Sequence, residues 1–150
     1  MEEAVKRFAP MMKLMLVMQG ALSKAFYERY GKEALTIIAE VASRGGVKRA
    51  EIMRKMMPVI GMKAIGEQFK MMGSMLEMGM EIIELSDEVF HFKVSRCPLG
   101  IEGTSRELCE AMMTSDAKML DTLLGQEVET KILQSVAAGD ERCEVIFSKK

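Results

Sequence analysis

Apolar residues recur at helical spacing through the first half of the chain, and the period changes at Gly79. Residues 2–30 are helix-permissive apart from Pro10 and Gly20. Pro10 lacks an amide hydrogen and crowds the preceding turn, so it is expected to end or kink a short leading helix. Gly31, directly after Tyr30, reads as a helix C-cap. Residues 32–43 predict a second helix, with Leu35, Ile38, Ala39 and Ala42 at helical spacing, and Arg44-Gly45-Gly46 a turn. Residues 47–57 predict a third helix that Pro58 stops, because the residue before a proline is pushed out of the α region. Residues 60–78 predict a longer fourth helix with Ile65, Phe69, Met72 and Leu76 on one side.

Residues 80–85 and 89–97 read as strands. In the second, Phe90, Phe92 and Val94 alternate with His91, Lys93 and Ser95. Ser86-Asp87-Glu88 supplies the turn of a β-hairpin. Residues 98–103 form a loop with two glycines, and Thr104-Ser105-Arg106-Glu107 fits a capping box that opens a helix. That helix runs to about Met113, a second spans 115–125, and a third covers 127–138. Gly139-Asp140 then turns the chain into a last strand at 143–148. The order defines an α+β fold: N-terminal helices followed by a small antiparallel sheet, the hairpin plus the C-terminal strand, with intervening helices. No repeat or low-complexity linker divides the 150 residues, so a single domain is expected, helical over 1–78 and carrying the cysteines over 79–150.

Composition narrows the partners. Hydrophobic residues at 49% and charged residues at 29% suit a chain that buries a core. A net charge of −1 without a Lys/Arg cluster points away from nucleic acid and anionic membranes. The longest apolar stretch, residues 11–22, is interrupted by Lys13 and Gln19 and falls short of the ~20 residues of a membrane span. Glu2 and Glu3 stand where a secretory leader would be basic, and three cysteines are an odd number that closes no disulfide framework. A reduced, cytoplasmic protein is expected. Methionine is the outlier, 17 residues beside no tryptophan. Its flexible thioether fills irregular core space or lines adaptable surfaces, and core filling is the first expectation. So many apolar helix positions in a short chain also predict a homodimer that buries a helical face, led by residues 11–22.

The chemistry-bearing residues are Cys97, Cys109 and Cys143. Cys97 ends the second strand and Cys143 begins the last one. If those strands pair antiparallel, the two cysteines meet at one edge of the sheet, ~5 Å apart between Cα atoms. Eleven residues separate Cys97 from Cys109, which keeps the third thiol close. Three thiols suit a soft metal such as zinc, or an iron–sulfur centre. No CxxC pair is present, and each cysteine also suits the role of a small buried hydrophobe. His91, the only histidine, lies six residues from Cys97, about 20 Å along a strand, and reads as a polar strand-face residue. The segment 100–104 leads into a helix N-terminus, whose free amides and dipole favour an anion or simply receive a cap.

The runs Cys97-Pro98, Glu107-Leu108-Cys109 and Ala138-Gly139-Asp140-Glu141-Arg142-Cys143-Glu144 resemble the L-2-amino-thiazoline-4-carboxylic acid hydrolase-like family. Ala21-Leu22-Ser23 and Tyr30-Gly31-Lys32-Glu33-Ala34 are similar to that family's early helices. The ending at Ala138 to Glu144 is also similar to 4-vinyl reductase domains, which share a mixed α+β fold related to transport-particle subunits. That resemblance implies that Cys97, Cys109 and Cys143 bind zinc together with a carboxylate and that the domain holds a small ligand. Two functions follow as expectations. The first is a hydrolase that opens a small sulfur- or nitrogen-containing ring, with Asp116 or Glu107 as fourth ligand or general base. The second is a non-enzymatic ligand-sensing or scaffold domain, with a structural metal or an iron–sulfur site.

Overall fold

The computed structural model describes residues 2–150. The N-terminal half is helical throughout, as its hydrophobic period requires. Helix α1 spans Glu2–Tyr30, α2 Lys32–Met56 and α3 Met62–Met75. Gly31, at φ 64°, separates α1 from α2, and its amide donates to Tyr27 O at 2.7 Å. Pro10 neither ends α1 nor separates a short leading helix, for the helix runs through it. The missing amide removes one ladder hydrogen bond from a 29-residue helix that is helix-permissive on both sides.

Arg44-Gly45-Gly46 is likewise no turn, because α2 continues across it to Met56, where Pro58 ends it as expected. The reason is tertiary. Gly46 is buried against α4, and a β-carbon there would fall 2.3 Å from Ser115 O. The glycine therefore permits close approach of two helices instead of reversing the chain. Helix α3 is shorter than its pattern, starting at Met62 and ending at Met75.

The C-terminal half departs further from its pattern. Strands β1 (Glu81–Leu85) and β2 (Val89–Val94) form the expected hairpin. Cys97 lies outside β2, because the amides of Ser95 and Arg96 both turn to Met78 O. Two expected helices are one, α4 at Arg106–Leu124, capped by Ser105, whose hydroxyl accepts from Leu108 N at 3.1 Å. Thr104, the expected cap, instead donates its hydroxyl to Ile101 O at 2.6 Å. The helix expected at 127–138 is strand β3, Val128–Gln134, followed by a 3-10 turn at Val136–Ala138. Its sequence alternates Val128, Thr130 and Ile132 with Glu129 and Lys131, and pairing with β4 (Cys143–Lys149) outweighs its modest helix propensity.

The result is an α+β fold of four helices and one antiparallel sheet in the order β1-β2-β4-β3. The inner sheet face carries Phe90, Phe92, Val145 and Phe147, which pack with Met62 and Ile65 of α3 and with Met119, Leu120 and Leu123 of α4. Phe69 meets Phe90 edge to face at a 5.5 Å centroid distance. Full burial of each large apolar side chain contributes roughly 1.5–3 kcal/mol. A second cluster joins Ala34 and Ile38 of α2 to Leu108, Ala111 and Met112 of α4, with Ile101 and Ala137.

Methionine divides between two roles. Met62, Met112 and Met119 fill the core, whereas Met11, Met15, Met18, Met56, Met71 and Met72 are exposed. Helix α1 buries only Ala9 and Gly20. Gly20 is where α1 seats on the loop after β2, since a β-carbon there would fall 1.8 Å from Leu99 O.

Candidate functional site

The antiparallel pairing of β2 with β4 places Val94 opposite Cys143. Cys97 follows three residues later, so the loop that leaves β2 returns past the start of β4. The next links are backbone contacts to the 3-10 turn after β3. Val136 donates its amide to Cys143 Sγ at 3.5 Å and accepts from Gly103 N at 3.1 Å through its carbonyl. One residue thus joins the third thiol to the loop that carries the first. Ser135 lies beside the Cys109 thiol on α4, and its own amide donates to Asp140 Oδ2 at 2.9 Å. Gly139-Asp140 of the sequence motif holds this turn closed, with the Asp140 amide returning to Ser135 O.

Cys143 and Cys109 thus meet the Ser135–Val136 segment, and the loop that carries Cys97 is tied to it at Gly103. Cys97 and Cys109 border the α2–α4 cluster, and Cys143 borders the sheet cluster. All three are half-buried and free. Among the described residues, no three His, Cys, Asp or Glu side chains are drawn in to metal-coordination geometry.

Burial pushes all three thiols up. For Cys97 it acts against the amides of Ile101, Leu99 and Gly100, with Glu102 adding a repulsive charge. For Cys109 it acts against the Ser135 hydroxyl, with Cys97 the next contributor. For Cys143 it raises the thiol to about 11, opposed by the Val136 amide and reinforced by Cys109, Cys97 and Glu102. A thiol in this setting is neutral at physiological pH and a poor nucleophile. Ser135 is fully buried, with its hydroxyl beside the Cys109 thiol.

The carboxylates singled out by the sequence sit elsewhere. Asp116 Oδ1 receives Arg49 Nη1 at 2.7 Å, bridging α4 to α2, and it lies seven residues beyond Cys109. That spacing is about 10 Å along a helix. Glu107 is exposed on the first turn of α4. The carboxylate that does stand beside the thiols is Glu102, whose Oε1 accepts from Cys97 N at 3.3 Å. Its signal in the sequence was position alone, five residues after a cysteine in a glycine-bounded loop. His91 pairs with Glu144 at 2.9 Å on the outer sheet face. The amides of Gly103 and Thr104 donate to Val136 O and Ile101 O, so the helix start at 100–104 is capped from within the chain.

A second feature is a cleft of about 260 Å³ between α4 and the edge strand β3. Met113, Ala117 and Ile132 supply apolar lining, with Glu110, Thr114 and Thr130 as the polar groups. The Thr130 hydroxyl is buried and has no hydrogen-bond partner.

No family profile matches the sequence, and no curated protein matches it. The solved structures to which it is similar define a class of fold. One is the phenol-responsive sensory domain of the transcription activator PoxR with phenol, at TM-score 0.60 and 16% identity, over 89% of this chain and 74% of that one. Another is trafficking protein particle complex subunit 3 from Naegleria fowleri covalently bound to palmitic acid. It aligns at TM-score 0.66 and 13% identity, over 93% of this chain and 95% of that one. The mixed α+β architecture expected from the C-terminal resemblance, related to transport-particle subunits, is the one observed.

Proposed function

We propose that this chain is a small-molecule-binding domain of the ligand-sensing kind. The observation that carries this reading is the cleft between α4 and β3, apolar on most of its lining and holding one unpartnered buried hydroxyl, Thr130. Its volume of about 260 Å³ suits a ligand of one aromatic ring. A ligand hydroxyl would satisfy Thr130, and such a bond is worth about 1 kcal/mol net. The likeness to a domain described as phenol-responsive supports this class of ligand. Phenol is therefore expected to raise the melting temperature of the protein in a concentration-dependent way. Ala117→Phe, which fills the cleft, is expected to abolish the rise, and Thr130→Val to weaken phenol about fivefold. A melting temperature indifferent to phenol, benzyl alcohol and benzoate would contradict the reading.

The same reading gives the three cysteines a structural role. Cys97, Cys109 and Cys143 are the donor set zinc favours. An iron–sulfur cluster ordinarily takes four cysteines, and the chain has three. Zinc would tie α4, β4 and the loop after β2 together. Hydrolysis of a cyclic substrate would ask Asp116 or Glu107 to act beside the metal. Asp116 is committed to Arg49 and Glu107 faces solvent, so this reading assigns neither a catalytic step.

Two copies are proposed to pair through α1. Phe8, Met11, Met15, Met18 and Leu22 follow one another at alternating steps of three and four, an apolar seam of coiled-coil type, and all five are exposed. The accessible surface is 9153 Å², against about 7,600 Å² for a compact monomer of 16.8 kDa. The excess of roughly 1,500 Å² exceeds the ~800 Å² per partner of an ordinary interface. Light scattering at micromolar concentration should give twice the chain mass, and Met15→Glu should return the monomer. A wild-type monomer would remove the pairing.

A further inference from the structure

We propose that β3 is a docking edge for a second copy of this chain, the two β3 strands pairing antiparallel about a two-fold axis through Thr130. Strand β3 ends the sheet and has β4 on one side only. The ladder decides which of its backbone groups face outward. Lys150 donates its amide to Glu127 O at 3.3 Å, and the register that follows sets Val128 opposite Lys149 and Thr130 opposite Phe147. Hydrogen-bonded and non-hydrogen-bonded pairs alternate along an antiparallel ladder. Glu129 and Lys131 therefore turn their peptide groups to β4, whereas Val128, Thr130 and Ile132 turn theirs to the open edge. Two of these outward groups are held within the chain: Asp121 Oδ1 accepts from Val128 N at 2.9 Å, and Arg106 Nη2 donates to Ile132 O. Val128 O, Thr130 N, Thr130 O and Ile132 N make no hydrogen bond among the described residues.

That remainder is self-complementary. In a pairing centred on Thr130, its amide donates to its twin's carbonyl and its carbonyl accepts in return, while each Ile132 N donates to Val128 O of the second copy. The other bond a ladder forms at that step, from Val128 N to Ile132 O of the second copy, uses the two groups that Asp121 and Arg106 hold. The side chains obey the same symmetry. On the outer face Glu129 falls opposite Lys131 of the second copy, and Lys131 opposite its Glu129. The 3.8 Å Glu129–Lys131 contact within one strand then becomes part of a square of alternating charge. On the inner face Val128 meets Ile132, and the Thr130 hydroxyl, buried without a partner, meets its twin on the axis. Charged edge strands ordinarily keep copies apart; this one presents both signs in mirrored order. The seam covers only residues 128–132, well under the ~800 Å² per partner of a standard interface. Association is accordingly weak, at roughly 100 µM to 1 mM, and adds to pairing through α1 instead of replacing it.

The test is sedimentation equilibrium from ~10 µM to ~1 mM, run on Met15→Glu so that α1 does not contribute. The mass should rise from that of one chain towards that of two across this range. Glu129 and Lys131 are exposed, so their replacement should leave the far-ultraviolet circular dichroism unchanged. Adding Lys131→Glu, or Glu129→Lys, sets like charges opposite each other twice and should weaken association about tenfold. The combined exchange Glu129→Lys with Lys131→Glu restores opposite charges across the axis and should recover it. At the highest concentration the amides of Thr130 and Ile132 should exchange hydrogen more slowly than at the lowest, and that of Val128, already on Asp121, should not change. A mass that stays at one chain throughout overturns the proposal. So do single charge variants that associate as well as their parent, or a combined exchange that fails to recover association.

Discussion

Gly46→Ala is expected to destabilise the protein by about 3 kcal/mol, while Gly45→Ala, one residue away, stabilises it by up to about 1 kcal/mol. Both glycines lie inside α2, where alanine is the better helix former. The difference is the neighbour. A β-carbon at Gly46 would stand 2.3 Å from Ser115 O and 3.1 Å from Met119 N, which are backbone atoms of α4, whereas one at Gly45 meets nothing within 4 Å. Side chains could rotate away; the α4 backbone cannot without separating the helices that bury Ala50 and Met119. Thermal melts should show Gly46→Ala lower by roughly 10 °C and Gly45→Ala slightly higher. Equal melting temperatures for the two variants would mean that α2 and α4 do not touch at Gly46.

These two glycines also show what the sequence could and could not reveal. Local chemistry read correctly at several turns and stops, though not at Pro10, through which α1 continues, or at Thr104, whose place as cap Ser105 takes. Gly31 ends α1, Pro58 stops α2, Ser86-Asp87-Glu88 turns the hairpin, and β2 pairs with β4 as its alternation implied. It failed where a distant element decided. Gly45-Gly46 looks like a turn until α4 is placed against it. Residues 128–134 look helical because Glu129, Lys131, Leu133 and Gln134 are good helix formers, yet β4 offers them a ladder partner. The three cysteines stand out in the sequence as the chemistry-bearing residues, and the β2–β4 register places Cys143 opposite Val94, three residues before Cys97. Glu102 does not stand out, because only the fold-back of its carboxylate onto the Cys97 amide distinguishes it from Glu107 and Asp116.

Removing zinc is expected to produce the other large effect. A site held at a thousandfold excess over its dissociation constant contributes about 4 kcal/mol, so a strong chelator should lower the melting temperature by roughly 10 °C. Cys143→Ser should reproduce that loss and make the chelator ineffective. The two states should also respond to pH in opposite directions. Metal-free, the Cys143 thiol is raised from its ordinary 9.0 to about 11, chiefly by burial. The folded chain then holds a proton that the unfolded chain releases first, so this contribution is present below about pH 9 and is lost as pH climbs towards 11. Zinc-loaded, the thiols are already deprotonated. Affinity, and with it stability, should rise with pH as fewer protons compete for the sulfurs. Melts of both forms across this range therefore diverge if the metal sits on these thiols and run parallel if it does not.

The most direct measurement is zinc-edge X-ray absorption on the stoichiometrically loaded protein, which counts the atoms bound to the metal. A shared site at Cys97, Cys109 and Cys143 gives three sulfurs at about 2.3 Å and one oxygen at about 2.0–2.2 Å, with one sulfur lost in each Cys→Ser variant. A wild-type protein that takes up no stoichiometric zinc, or whose zinc shows one sulfur or none, contradicts it.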